Sequence, residues 1–220
     1  AQNVAVGGGA LASNTTASSN TAVGYGAINV NTTGANNVAV GAYALDANTD
    51  ASSNTAIGYN ALTAATTGGQ NVAIGSEALD ANTTAVQNTA IGAHSMGANI
   101  TGDLNVAIGY ATLYSNTIGD RSVAIGNGAL YAQEPASNAD MLNTAVGYNA
   151  MVTSTTGVQN AAYGAYSLDS NTTGSYNVAL GYSALSANTT SSHNVAIGVD
   201  AGEFATEAEK RAALTSQSLA

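Results

Sequence analysis

The strongest constraint on this chain is a period. A phrase of the form Asn-[Thr/Val]-Ala-[Val/Ile]-Gly begins at Asn3, Asn20, Asn37, Asn54, Asn71, Asn88 and Asn105, each start 17 residues after the last. It resumes at Ser122, where Ser stands for Asn, and then at Asn143, Asn160, Asn177 and Asn194. The step from Ser122 to Asn143 is 21 residues, so four residues are inserted there (21 − 17). A unit this short cannot bury an apolar face alone and must stack on its own copies. It is also too short for the helix pairs of α-solenoids, which need about 34–47 residues.

The aligned copies assign a task to each position. The third residue is always Ala and the fifth always Gly, from Ala5 and Gly7 to Ala196 and Gly198. The fourth is Val, Ile or Leu except at Tyr163, and the ninth is Leu, Ile or Met until Gly202. In Val-Ala-Ile the β-branched residues share one face of a strand and Ala takes the other. Gly directly after the strand implies positive φ or a close backbone approach. Asn-Thr-Thr-Gly, as at Asn31 to Gly34, is turn chemistry. The pattern predicts an all-β parallel β-roll, or β-solenoid, of about twelve coils with two short strands and two turns each. Val/Ile and Leu are expected to face inward, with Ala on the outside as a close-contact face. So thin a core favours a homo-oligomer, and we expect a homotrimer.

The expected domains are a β-roll over 1–204, with the insertion within 122–142, and a tail over 205–220. Thr206 followed by Glu209 is a capping-box pattern, and Glu207 and Arg211 have i,i+4 spacing, so the tail reads as a short helix that caps or docks.

Composition closes several functional classes. Charged residues make up 7% of the chain and the net charge is −10. With three Lys and Arg in all, there is no basic footprint for nucleic acid or for an anionic membrane surface. No apolar run approaches the roughly 20 residues of a membrane span. The absence of Cys excludes disulfides, thiol catalysis and zinc–thiolate sites.

Few residues invite chemistry. His94 and His193 occupy different repeat positions, without a partner motif for a nucleophile. Asp46, Asp80 and Asp169 share the tenth position, but Asp46 and Asp80 are two coils apart, about 10 Å, too far to chelate one ion. Neither a catalytic site, a metal nor a cofactor is expected. Asn14, Asn31, Asn82, Asn99, Asn171 and Asn188 begin Asn-x-Ser/Thr sequons. All six sit at the turn position, where stacked Asn and Thr ladders between coils explain them better than glycans. Tyr25, Tyr59, Tyr110, Tyr148 and Tyr182 recur at the sixth position, as a row suited to stacking on sugar rings or to packing between coils or subunits. The insertion adds Tyr131, Glu134, Pro135 and Asp140 as candidate contact residues, since insertions in repeat proteins map to loops on one face.

Val72-Ala73-Ile74-Gly75, preceded by Asn71 and followed by Ala78-Leu79, resembles the repeats of trimeric autotransporter adhesin heads (YadA-like). The wording from Asn20 to Gly34 is also similar to repeats of bacteriophage tail fibres and other virion appendages. The resemblance covers residues 3 to about 204. It implies a left-handed parallel β-roll assembled as a trimer. The 17-residue unit is longer than that of the adhesin heads, and neither a neck, a heptad stalk nor a self-cleaving chaperone domain is evident, so the chain reads as a repeat module alone or as a small self-contained appendage protein. The function expected is a non-enzymatic structural or adhesive appendage on a virion or a cell surface, with host attachment and a surface glycan receptor as its partners. A polysaccharide-degrading solenoid would need paired carboxylates in a cleft. An ice-binding solenoid would need Thr arrays on one face, which adjacent pairs such as Thr83-Thr84 do not supply.

Overall fold

The structure, a computed structural model, describes residues 2–203. The predicted tail helix therefore lies outside the described residues. Twelve three-residue strands run from β1 (Val4–Val6) to β12 (Val195–Ile197), all parallel and in chain order within one sheet. Each strand pairs with the next copy in register: Ala73 lies opposite Ala56 on one side and Ala90 on the other. This is an all-β parallel solenoid of about eleven coils, with no helix among the described residues.

Each coil contains one strand rather than the two expected. The opposite wall, around the ninth and eleventh positions, still bonds coil to coil: Leu45 donates to the Ala61 carbonyl (3.0 Å) and Ala47 to the Thr63 carbonyl (3.0 Å). It cannot be extended, however, because the seventh and ninth residues adopt positive φ, as at Glu77 (56°) and Leu79 (52°). Left-handed L-residues cost about 1–2 kcal/mol each. They are retained because the turn aims Leu79 and its equivalents into the centre of the coil, where they are fully buried.

The interior corrects the expected orientation of the strands. From the second strand to the eleventh the Ala column, including Ala22, Ala73, Ala124 and Ala179, is completely buried, and the columns on either side, mostly Val, Ile and Thr, point outward. The reason is volume. A 17-residue coil is narrow, and the Leu or Met of the ninth position fills it from the far wall, leaving room for only a methyl group on the strand side. Burying each such Leu contributes about 1.5–3 kcal/mol.

Two Asn ladders complete the interior. In the first position, Asn71 Oδ1 accepts the Asn88 backbone N–H (2.9 Å) and Asn71 Nδ2 donates to the Ala85 carbonyl (2.8 Å). In the twelfth position, Asn31 Nδ2 donates to the Gly34 carbonyl (2.9 Å) and to Asn14 Oδ1 (3.0 Å). Turn backbone that would otherwise lack partners in a dry interior is thus satisfied by side chains. Where Ser122 interrupts the first ladder, the longer Gln133 compensates from the second. Its Oε1 accepts from Ser122 Oγ (3.2 Å) and Asn143 Nδ2 (3.0 Å), and its Nε2 donates to Asn116 Oδ1 (3.1 Å). The insertion consequently bulges without shifting register, and β8 (Val123–Ile125) still pairs in step with β9 (Thr144–Val146).

Candidate contact surfaces

The turn after each strand positions the tyrosines. A Gly with φ near 123–143° bends the chain out of the sheet in every coil, and the sixth residue then stands on an outer edge. Tyr25, Tyr59, Tyr110, Tyr148 and Tyr182 are all exposed, from 48% to 62%. The structure adds partners that the sixth-position row alone does not reveal. Tyr43 at the seventh position packs edge-to-face between Tyr25 (5.4 Å between centroids, 80°) and Tyr59 (6.4 Å, 79°). Tyr166 does the same between Tyr148 (5.3 Å, 76°) and Tyr182 (5.8 Å, 78°). The spacing carried the signal: 18 then 16 residues separate Tyr25, Tyr43 and Tyr59, and the same two steps separate Tyr148, Tyr166 and Tyr182. Between the triads, Tyr110 meets His94 edge-to-face at 5.8 Å, and His94 Nδ1 lies 3.1 Å from Glu77 Oε2.

The insertion residues do not join this row. Tyr131 stacks on Tyr114 at the tenth position (5.3 Å, 11°). Glu134 is exposed and accepts from Thr117 Oγ1 (2.6 Å) and the Thr117 N–H (3.2 Å). Pro135, expected at the surface, is buried. It packs near Gly119 with the buried Met141 and closes the interior where the turn is rebuilt. Asp140 is exposed, forms an ion pair with Arg121 and bridges to Asp120. Residues 136–138 are the exposed crest of the loop.

The sequon asparagines at 31, 82, 99 and 171 are fully buried with their amides hydrogen-bonded, which leaves no access for glycan attachment. Thr hydroxyls at the thirteenth position donate to the next coil, as from Thr32 to the Thr49 carbonyl (3.1 Å) and from Thr66 to the Thr83 carbonyl (3.2 Å).

The carboxylates at the tenth position remain one to a coil. Desolvation, reinforced by Glu77, raises the Asp80 pKa; desolvation alone raises that of Asp169. Asp120 is raised by desolvation first and then by the charges of Asp103 and Asp140. Among the described residues no group of three or more His, Asp or Glu is placed to hold a metal ion, and no helix is long and apolar enough to cross a membrane.

The largest feature absent from the expected site is the outer face of the sheet. Two columns of Val, Ile, Leu and Thr, interrupted on β10 by Ala161 and Tyr163, flank the Ala column along the sheet, a stripe about 50 Å long at the usual strand spacing. Exposure is 37–39% at Val38, Ile57 and Val178 and rises to 68–70% at Ile197 and Val195 on the last strand. Comparison of the chain with protein-family models, with curated proteins and with solved structures finds no match.

Proposed function

We propose that this chain is a non-enzymatic structural and adhesive module, a homotrimeric β-roll in an appendage of a virion or cell surface. The observation that carries the reading is the outward Val/Ile stripe. Contiguous exposed apolar patches beyond a few hundred Å² are rare on monomers and mark association surfaces. This one is regular and as long as the sheet, which suits another copy carrying the same stripe. Closure about a shared axis then buries every stripe at once, as cyclic symmetry requires. The similarity of the repeat phrase to adhesin-head and tail-fibre repeats supports three-fold closure and an attachment role. The interior adds to this, because ladders of identical side chains make a rigid rod.

Sedimentation equilibrium, with protease digestion alongside, tests the proposal. A mass three times that of the chain and strong resistance to digestion are expected. A monomer that is digested readily would overturn it, and release of reducing sugar from surface polysaccharides would revive the enzyme reading.

A further inference from the structure

We propose that the two tyrosine triads are twin binding platforms for an extended, uncharged hexose polymer, an inference that names the ligand class of the adhesive reading above and rests on it. Three independent features of the site agree. Each triad is a linear row along the rod, with successive centroids 5.3–6.4 Å apart, rather than a cage converging on one point as a lone cation would need. The outer rings are about half exposed or more, 62% and 51% at Tyr25 and Tyr59 and 48% and 52% at Tyr148 and Tyr182. Rings with an apolar body and a polar tip suit sugars, whose C–H faces stack while their hydroxyls bond.

The second feature is a carboxylate in the central coil of each triad. Asp46 accompanies Tyr43 and Asp169 accompanies Tyr166, and the Oδ1 of each is buried with no hydrogen-bond partner among the described residues. A Cβ on Gly26 would lie 3.1 Å from the Tyr43 ring and 3.8 Å from Asp46 Oδ1, so ring and carboxyl border the same spot. A carboxyl so placed can turn an oxygen to accept from sugar hydroxyls. The third feature is charge. A net charge of −10 with Asp beside each platform repels anionic glycans and leaves neutral ones.

The fold itself supplies variants that preserve the backbone. Asn60 and Asn149 already occupy the seventh position with φ of 52° and 51°, against 58° and 59° at Tyr43 and Tyr166. Tyr43→Asn and Tyr166→Asn therefore remove a central ring without new strain. The full chain is titrated calorimetrically with cellohexaose, mannohexaose and laminarihexaose, and with an alginate oligomer as the anionic counterpart. The expected result is two equivalents of at least one neutral hexasaccharide per chain, one in either single variant, and affinity at least about tenfold weaker in the double variant. If the Asn variants fail to fold, Tyr25→Ala with Tyr148→Ala reads the same loss, since Ala42 and Ala93 stand at that position in other coils. Absence of binding to all three neutral sugars, equal binding of alginate, or undiminished binding in the double variant overturns the proposal. So does loss of the assembled mass in these variants, which would assign the rings to a subunit contact. Failure of sugar binding with the assembled mass intact rejects the platforms alone, whereas a monomeric wild type rejects the parent reading.

Discussion

Gly92 shows how tightly the coils are stacked. Its φ is +129°, and a Cβ there would lie 2.3 Å from the Gly109 carbonyl oxygen, backbone that cannot rotate away. Two penalties combine in one methyl group, a left-handed conformation and a clash with the next coil. Gly92→Ala is expected to cost about 3 kcal/mol or more, read as a lowered midpoint in denaturant unfolding. Gly8→Ala is the matched control. Its φ is not positive, and the added carbon would meet only the Tyr25 ring at 3.4 Å, so its midpoint should stay within about 0.5 kcal/mol of the parent. Equal effects from the two substitutions would mean that the Gly column is a matter of chain flexibility and not of contact between coils. The need for Gly was legible from the repeat, because the residue follows every strand. The left-handed Leu79, four residues after Gly75, was not, since nothing in its type announces positive φ.

A coil is bonded to its neighbours far more than to itself, so its length matters more than its count. Excision of residues 72–88 joins Asn71 directly to Thr89, restoring the phrase and the first-position Asn ladder with one turn fewer. The shortened chain is expected to keep the parent's circular dichroism per residue and to lose only a few degrees of melting temperature, as nearest-neighbour stacking predicts. Excision of 72–80 instead would end one coil half-way and turn its Ala column away from the interior, and that chain should not fold. Equivalent behaviour of both deletions would show that register does not govern the stack. The repeat unit, the bend at Gly, the Leu anchor and the Asn corner are legible in the sequence, because each is a residue type bound to a position. The orientation of the strand is not: Val and Ile, expected inside, face outward, and Ala lies within. Alternation along a strand separates two faces without saying which is internal, and the decision came from the width of a coil already filled by Leu45 or Leu79 from across the interior. The triads were half legible for a similar reason: Tyr43 and Tyr166 belong to a neighbouring position that backbone geometry, not sequence identity, brings between the sixth-position rings.

Charge acts on the stack as a unit, and so does the proposed association. The raised pKa values of Asp80, Asp120 and Asp169 mean that the folded chain binds protons more readily than the unfolded chain, whose carboxylates titrate near 3.8. Their stabilising contribution is therefore complete below that value and is lost as pH rises through the elevated folded values. Acidification from neutrality to about pH 4 should raise the melting temperature, and Asp80→Asn combined with Asp169→Asn should flatten that dependence. A melting temperature that falls over the same interval would show that other carboxylates dominate. The proposed association surface can be tested apart from the fold, because the stripe and the core lie on opposite faces of the same strands. Ile57 and Ile125 project outward at 38% and 36% exposure, while Ala56 and Ala124 beside them are fully buried. Ile57→Asp with Ile125→Asp thus leaves the packed interior untouched and places two carboxylates in the proposed contact, where each unpaired buried charge costs several kcal/mol. The expected outcome is a sedimenting mass reduced to that of one chain, with the β signal of the coils retained. Thr67→Asp is the control, since the exposed fourteenth position already carries Asp50 in the preceding coil. An unchanged assembled mass in the double variant would move the subunit contact away from the sheet face and toward the tyrosine edge.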